Sequence, residues 1–245
     1  MNAVDRTAPD VTRVIVAGAA GRMGRLACEW IRASSHDAAT PSTERVELEL
    51  VAELRRGDPV DTLLAQHPGA VLLDLTLAAA SVPLSTRAVE LGLHPVIGTS
   101  GWDPAQLDAL ERRCAAARLG ALWVPNFSIG ALLQMRAAEE AARWFAHAEI
   151  SELHHPTKRD TPSGTARATA ERMRAVRAGE ERVPIHSERR EGALAEQRVR
   201  LANEHEVLEL GHVVSDRRAY APGLLLALRR VRGLSTLVRG LDSLL

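Results

Sequence analysis

The sequence predicts an α/β protein with a Rossmann-like, doubly wound parallel sheet in one domain and a smaller α+β domain with a mostly antiparallel sheet. In the first half, short apolar runs alternate with longer helical patterns, as a parallel sheet covered by helices requires. After Asn126, one long Ala-rich helix pattern is followed by closely spaced strand patterns. We therefore expect one domain over residues 1–126 and 219–245 and another over residues 127–218.

The elements of the first half follow a regular alternation of strand and helix. Each strand is a short apolar run, and each helix shows apolar residues at a spacing near 3.6. The polar segment 34–44 between the first helix and the second strand is predicted as a loop with no assigned role. We predict strands at 11–16, 46–51, 70–75, 94–98 and 121–124 and helices at 22–33, 60–66, 81–91 and 104–118.

The second half is predicted to hold two helices and four strands before a C-terminal stretch. Residues 223–245 return to helical spacing and could pack on either domain. The predicted helices are 129–146 and 165 to about 178, and the predicted strands are 149–154, 185–189, 196–202 and 206–214.

The composition excludes several classes of protein. With 245 residues and 46% hydrophobic content, the chain can bury a sizeable core. Lys and Arg together number 31 and so do Asp and Glu, so no net charge favours nucleic acid or an anionic membrane as a partner. The sequence contains no apolar run of bilayer length and residues 1–9 lack a secretory apolar stretch, so we expect a cytoplasmic protein.

The two cysteines, Cys28 and Cys114, both fall in predicted helices and have no CxxC partner. Unpaired cysteines are usually buried, and a reducing compartment disfavours a disulfide. We expect two buried free thiols, although the sequence alone leaves a disulfide between them open.

A glycine-rich turn follows the first predicted strand and opens the first predicted helix. Its residues run from Gly18 through Ala19, Ala20, Gly21, Arg22 and Met23 to Gly24. Backbone N–H groups at such a helix start can hold a pyrophosphate, and glycines allow the tight turn and the close approach that this needs. The turn predicts a dinucleotide site, and a purely structural turn is the alternative.

The end of the second strand bears on the choice of cofactor. A carboxylate such as Glu53 can accept hydrogen bonds from ribose hydroxyls, whereas a guanidinium such as Arg55 or Arg56 can pair with a 2′-phosphate. The arginines favour NADPH, two solvated arginines are the alternative, and Glu53 leaves NADH use open.

The segment 152–166 concentrates polar chemistry. His154, His155 and Lys158 precede a Ser-Gly-Thr sequence at a predicted helix start. Backbone N–H groups near Gly164 and Thr165 can bind a carboxylate, and the imidazoles and the ammonium can deliver protons. A reductase of a small dicarboxylate needs both.

A zinc site, a solvated loop and a nucleophile site are weaker interpretations of this segment. A zinc site lacks further ligands at suitable spacing, so we expect no metal. A plain surface loop carrying three basic groups stays an alternative, because charged runs are usually solvated. Ser163 lacks the G-x-S-x-G elbow of a nucleophile and is better interpreted as a helix cap.

Together these residues resemble the dihydrodipicolinate reductase family, also called 4-hydroxy-tetrahydrodipicolinate reductases, of lysine and diaminopimelate synthesis. The resemblance spans nearly the whole chain and is most specific at the His-His-x-x-Lys-x-Asp-x-Pro-Ser-Gly-Thr-Ala segment. It is also carried by the segments 16–24, 96–101 and 125–130.

The resemblance implies hydride transfer from NADPH or NADH to a small cyclic dicarboxylate, the product of dihydrodipicolinate synthase. It implies a homotetramer assembled through the sheet of the smaller domain, with the C-terminal helix returning to the nucleotide domain. His154 and Lys158 are then expected to be catalytic, and His155, Ser163, Gly164 and Thr165 to bind substrate. The expected cofactor contacts are Gly18, Ala19, Ala20, Gly21, Arg22, Met23, Arg55, Gly98, Thr99, Ser100, Val124, Pro125, Asn126 and Phe127.

The chain departs from the family pattern at a few positions. Arg55 stands where some relatives have an acidic residue, Leu75 replaces a common Phe, and Thr161 replaces a common Ala. A Rossmann domain is also compatible with a different dehydrogenase or with a dinucleotide-binding sensor without catalysis. The His-Lys segment argues against both, and a pure binding module in particular needs no positioned proton donor.

Overall fold

The computed structural model describes residues 10–34, 46–177 and 182–245. The start of the chain, nearly all of the loop predicted at 34–44 and the predicted helix end at 178 lie outside these residues. The chain divides into two compact units. The first contains the described residues up to Phe127 together with Tyr220–Leu245, and the second is Ser128–Ala219.

The first unit alternates strands and helices as predicted. Strand β3 is buried along its whole length, which explains its continuous apolar sequence. The strands are β1 (Asp10–Ala17), β2 (Val46–Leu54), β3 (Val71–Asp74), β4 (His94–Ile97) and β5 (Ala121–Trp123), and the helices are α1 (Arg22–Ser34), α2 (Val60–Ala65), α3 (Ala78–Glu90) and α4 (Pro104–Ala117).

The second unit packs two helices against one sheet. Its helices are α5 (Ile129–Ala141) and α6 (Gly164–Val176), and its strands are β6 (His147–His154), β7 (Ile185–Arg189), β8 (Ala195–Ala202) and β9 (Val207–Val214). The sheet order is β7-β6-β8-β9, with β6 parallel to β7 and the other two pairs antiparallel. Two of three pairings are therefore antiparallel, as predicted.

The C-terminal stretch differs from its predicted helical character. Helix α7 (Ala221–Arg230) is followed by a short strand, β10 (Leu237–Arg239), which pairs parallel with β5. The first sheet therefore has the order β10-β5-β4-β3-β1-β2 with every pair parallel. A three-residue strand is too short to show a period, which is why the sequence did not reveal it.

Helix α5 ends earlier than the predicted residue 146. Asn203 accepts the N–H of Ala146 at 2.9 Å and donates to the carbonyl of Trp144 at 3.2 Å. Arg177 donates to the carbonyl of Phe145 at 3.1 Å. These side chains satisfy backbone groups that a longer helix would pair internally, so the helix stops although the Ala-rich pattern continues.

The architecture confirms the predicted fold class of a Rossmann-like parallel sheet with a second, smaller α+β unit. Cys28 and Cys114 are both buried and free, and burial raises the pKa of the Cys114 thiol to about 11. Across the described ranges, none of the helices has the length and apolar character that crossing a bilayer requires.

Candidate active site

The glycine turn lies between β1 and α1 and requires two of its glycines. Gly18 has a φ of +79°, and a Cβ there would lie 2.7 Å from the carbonyl oxygen of Leu75. A Cβ on Gly24 would overlap the carbonyl oxygen of Gly18 and lie 2.7 Å from the Cα of Ala19. The turn therefore holds the start of α1 against its own backbone.

The exposed part of this turn suits a pyrophosphate. Ala20, Gly21 and Arg22 are exposed at the start of α1, while Ala19 is buried and Met23 is half-buried. The first turn of α1 has no acidic side chain that would repel an anion. Exposed N–H groups at the positive end of a helix are the groups that bind phosphates, so these residues fit the predicted cofactor.

The predicted contacts after β4 and β5 meet at one place in the first unit. A Cβ on Gly98 would lie 2.7 Å from Leu75 Cδ2 and 2.7 Å from Phe127 Cε2. Trp123 Nε1 donates to the carbonyl of Thr99 at 3.2 Å. The carboxyl ends of neighbouring parallel strands are where doubly wound sheets bind ligands. Ser100 and Pro125 are exposed there, Asn126 is half-buried and Val124 is buried.

A buried carboxylate that the sequence interpretation missed organises this edge. Asp74, at the end of β3, is 0% exposed. It accepts the N–H of Thr76 at 2.9 Å and the hydroxyl of Thr76 at 2.6 Å, and it contacts the hydroxyl of Ser81. Trp102 Nε1 in turn donates to Ser81 at 2.9 Å. The network fixes the backbone that follows β3.

The predicted cofactor residue Arg55 lies beside the glycine turn and pairs with Glu53. The N–H of Gly18 donates to the carbonyl of Leu54 at 3.1 Å, which places the end of β2 next to the turn. Arg55 Nη2 is 2.8 Å from Glu53 Oε2, and Arg32 of α1 is 2.5 Å from Glu53 Oε1. Hydrogen bonds from Arg55 and then Arg32 lower the pKa of Glu53, so a carboxylate and two guanidinium groups meet beside the glycine turn.

In the second unit, β6 delivers His154 to the start of the polar loop. The side chain of His154 is 15% exposed, and its Nδ1 makes a short hydrogen bond to Glu152 Oε2. Burial lowers the pKa of His154 although Glu152 opposes the shift, and Lys158 and Arg189 lower it further. An imidazole can act as a base in its neutral form and as an acid in its protonated form.

The loop before α6 holds Lys158 through a carboxylate of its own, Asp160. Lys158 Nζ is 2.8 and 2.9 Å from the two oxygens of Asp160, and Asp160 also accepts a hydrogen bond from the backbone of Gly164. Lys158 and the backbone of Gly164 therefore already bind a carboxylate from the protein. They have the charge and the donors that an anion site needs.

The remaining predicted substrate residues have different environments. Ser163 is buried, and its hydroxyl accepts the N–H of Ala166 at 3.1 Å, so it caps α6 as predicted. Gly164 is exposed with open space around it, and Thr165 and His155 are half-buried. His155 Nδ1 is 2.7 Å from the hydroxyl of Thr157. The substrate-binding roles of these residues stay predictions.

The sequence interpretation also missed Glu152 and Arg189. Arg189 Nη1 lies 3.1 Å from both oxygens of Glu152. One signal for Glu152 was available, because residues two apart on a strand share a face and Glu152 precedes His154 by two. Arg189 comes from β7 and is brought beside His154 only by strand pairing. Within the part of the chain that the structure describes, no group of His, Cys, Asp and Glu is arranged to hold a metal ion.

The comparisons with known proteins agree with these features. Residues 12–127 match the family model "Dihydrodipicolinate reductase, N-terminus", and residues 130–245 match "Dihydrodipicolinate reductase, C-terminus". The 4-hydroxy-tetrahydrodipicolinate reductase of Moorella thermoacetica is 40% identical over 95% of this chain and 97% of its own length. That of Nocardia farcinica is 38% identical over 95% and 98%.

Two solved structures, one a reductase of this family and one a more distant dehydrogenase, have similar folds. The dipicolinate-bound dihydrodipicolinate reductase of Paenisporosarcina sp. TG-14 has a TM-score of 0.76 and 29% identity, covering 96% of this chain and 100% of that one. A probable dehydrogenase from Thermotoga maritima has a TM-score of 0.58 at 12% identity, covering 95% and 92%, which supports the fold alone. Because the family models match both halves, this chain belongs to the dihydrodipicolinate reductase family.

Proposed function

We propose that this protein reduces 4-hydroxy-tetrahydrodipicolinate to tetrahydrodipicolinate in lysine and diaminopimelate synthesis. The observation that carries the proposal is a pair of carboxylates at the start of α6: Glu152 contacts His154 and the backbone of Ser163, and Asp160 contacts Lys158 and the backbone of Gly164. Family membership favours this function over a different Rossmann-domain dehydrogenase or a catalytically silent sensor.

The first unit would hold NADPH or NADH, which supplies the hydride when bound. The exposed backbone at Ala20, Gly21 and Arg22 would bind the pyrophosphate. At the edge after β4, the side chains of Leu75 and Phe127 lie so close to Gly98 that a side chain at residue 98 would collide with them. Arg55 can pair with a 2′-phosphate and Glu53 with ribose hydroxyls. We therefore propose that the enzyme uses both cofactors.

The second unit would bind the dicarboxylate and provide the proton. A carboxylate of the substrate would be held by the backbone at Gly164 and Thr165 and by His155, the groups that suit an anion at a helix start. When hydride reaches a ring carbon, negative charge develops on the neighbouring atom, and His154 or Lys158 would neutralise it by donating a proton. The dipicolinate in the Paenisporosarcina relative is a ligand of the same chemical class.

We further propose a cytoplasmic homotetramer. The outer face of the second sheet exposes apolar side chains at Val207 and Val213, which are 51% and 61% exposed. Family membership favours assembly through this sheet, and face-to-face packing of sheets would cover both side chains. The free thiols Cys28 and Cys114 suit a reducing compartment.

The test is oxidation of NADPH, and separately of NADH, by purified protein supplied with fresh product of dihydrodipicolinate synthase. We expect rapid oxidation that depends on that product. His154→Ala should lower kcat on the order of 10²-fold or more, as loss of a general acid does, whereas His155→Ala should mainly raise KM for the dicarboxylate. Folded wild-type protein that oxidises neither cofactor would reject the proposed activity, and equal effects of the two substitutions would reject the assigned roles.

A further inference from the structure

Glu152 is a buried carboxylate of the second unit that contacts both His154 and the start of α6. Its side chain is 0% exposed. One oxygen, Oε2, makes the short hydrogen bond to Nδ1 of His154, and the other, Oε1, accepts the backbone N–H of Ser163 at 3.3 Å. A single buried carboxylate therefore contacts the proposed proton donor and the residue that caps α6.

Arg189 compensates the charge of this carboxylate and extends the connection to the loop. Besides the two contacts of Nη1 with Glu152, its Nη2 donates to the carbonyl of Asp160 at 2.7 Å and to the hydroxyl of Thr161 at 3.0 Å. Asp160 is the residue that pairs with Lys158. The same guanidinium thus positions the loop that carries the second proposed proton donor.

We propose that Glu152, anchored by Arg189, is a positioning residue that orients the imidazole of His154 for proton transfer to the substrate. The inference rests on the proposed function. A carboxylate accepts hydrogen bonds and donates none when ionised, so Glu152 requires the proton of neutral His154 to be on Nδ1. Nε2 is then the nitrogen that exchanges a proton with the substrate, and Glu152 stabilises the protonated imidazole between turnovers.

The geometry distinguishes this role from that of a structural ion pair. Arg189 already contacts both oxygens of Glu152, so joining β6 to β7 does not require the imidazole. The strand period places His154 and Glu152 on one face of β6. The side chains of His154 and Arg189 are 15% and 19% exposed, whereas that of Glu152 is 0% exposed. Glu152 thus constrains a ring that a substrate can reach from solvent.

The first test measures the tautomer of His154 directly and needs no turnover. The ¹⁵N shifts of the imidazole are recorded against pH in wild-type protein and in Glu152→Gln. In wild-type protein we expect the proton of the neutral ring on Nδ1. In the variant, the amide oxygen should face Arg189 and the NH₂ should face Nδ1, so the proton should move to Nε2.

The same titration gives a pH prediction. The charged groups around His154 are Glu152 on β6, Arg189 on β7 and Lys158 in the loop, and of these only Glu152 raises the pKa of His154. Removing its charge should move the His154 titration, and the limb of the pH profile of kcat that reports it, to lower pH. An unchanged tautomer together with an unchanged titration would overturn the proposal.

The second test separates positioning from binding. Glu152→Gln should lower kcat on the order of 10²-fold or more, with KM for the dicarboxylate changing by less than about threefold. Glu152→Asp keeps the charge and should recover much of kcat. Glu139→Gln is the matched control, because it removes a carboxylate that pairs with Arg172 between α5 and α6, and it should retain wild-type kcat. A rise in KM without loss of kcat would contradict the role.

Glu152→Gln leaves the charge of Arg189 without its carboxylate partner, and the variant can fail to fold for that reason. A double variant keeps the proposal testable in that case. Glu152→Gln with Arg189→Met removes both charges, which folded proteins tolerate better than one uncompensated charge. We expect the folded double variant to show the same loss of kcat, and wild-type turnover in it would overturn the proposal. Absence of turnover in wild-type protein would reject the proposed function instead, and the tautomer measurement would still test what Glu152 does to His154.

Discussion

Among the described residues, two carboxylates are buried, one in each unit, and they are stabilised in different ways. Asp74 is surrounded by hydroxyl and amide donors from Thr76 and Ser81. Glu152 is surrounded by a guanidinium and an imidazole, and although burial alone would raise its pKa, hydrogen bonds from Ser187, His154 and Arg189 lower it. Buried carboxylates persist only when their hydrogen-bonding capacity is filled, so both act as fixed points for the loops around them.

At the scale of single residues, the sequence predicted what lies within one contiguous segment. The glycines of the turn and the His-Lys segment could be found because the groups that act together are neighbours in sequence. Arg189 is 37 positions from Glu152, and no local pattern connects them. The sequence showed Asp74 only as part of an Asp-Leu-Thr sequence. Its role in the network could not be predicted, because its hydrogen bond from Ser81 depends on how α3 packs.

The preference between the two nicotinamide cofactors is predicted to depend on Arg55 and Glu53. Arg55→Ala removes a guanidinium that can pair with a 2′-phosphate, so KM for NADPH should rise about tenfold, as loss of a charged hydrogen bond allows. KM for NADH should change by less than about twofold. The measurement is kcat/KM for each cofactor at fixed dicarboxylate concentration.

Glu53→Gln provides the reciprocal comparison. It removes the charge that holds Arg55 and Arg32, so both guanidinium groups become free for a phosphate, and discrimination in favour of NADPH should increase. If Arg55→Ala raises KM for NADH and for NADPH equally, Arg55 contributes only general attraction for the dinucleotide and does not distinguish a 2′-phosphate from a 2′-hydroxyl.

At the scale of elements, the starts of three helices are set by one polar side chain each. Asp103 accepts the N–H of Ala105 at 2.8 Å and forms a capping box with Gln106 before α4. Ser128 accepts the N–H of Ala131 before α5, and Ser163 caps α6. Caps of this kind stabilise a helix by about 1 kcal/mol. They are local signals, which is why the predicted starts of these helices agree with the structure to within one residue.

Element ends that depend on distant residues were the least predictable. Strand β7 has the predicted bounds, Ile185–Arg189, and Pro184 and Gly192 flank it closely in sequence. Helix α5 stops early because Asn203 and Arg177 bind the carbonyl and N–H groups that follow it. Strand β10 exists because β5 offers an open edge, which no property of residues 237–239 reveals.

The junction of β1 and α1 is predicted to tolerate no side chain at Gly24. Gly24→Ala would force the helix away from the Gly18 carbonyl and the Ala19 backbone, and overpacking of this kind lowers the free energy of unfolding by about 1–3 kcal/mol. Because the turn would open, the Kd for NADPH should also rise. Thermal unfolding and cofactor titration measure the two effects.

Gly233→Ala is the control for this substitution. A Cβ at Gly233 meets nothing within 4 Å, so stability and cofactor affinity should stay near wild-type values. Wild-type stability and affinity in Gly24→Ala would show that the turn can relax, and the close approach would then not be a requirement of the site.

At the scale of the whole molecule, the second sheet has two unlike faces. Along β8, Gln197, Val199 and Leu201 are buried, and Gln197 donates to Gln134 of α5 and Thr169 of α6 at 3.1 and 2.9 Å. The alternate residues of β8 point to the other face. Within the described part of this unit, both helices pack on the first face, so the second is the face available to another subunit.

The proposed tetramer is predicted to depend on this second face. Val207→Asp and Val213→Asp would each place a charge on the face that the proposed assembly buries, and an unpaired buried charge strongly disfavours association. We expect the double variant to sediment as a smaller species than wild-type protein while keeping its helix content.

Leu133→Asp is the matched control, because Leu133 is 52% exposed but lies on α5. This variant should assemble as wild-type protein does. A tetramer that survives both valine substitutions, or that dissociates with Leu133→Asp, would assign the interface to a different surface, and a monomeric wild-type protein would reject the tetramer itself.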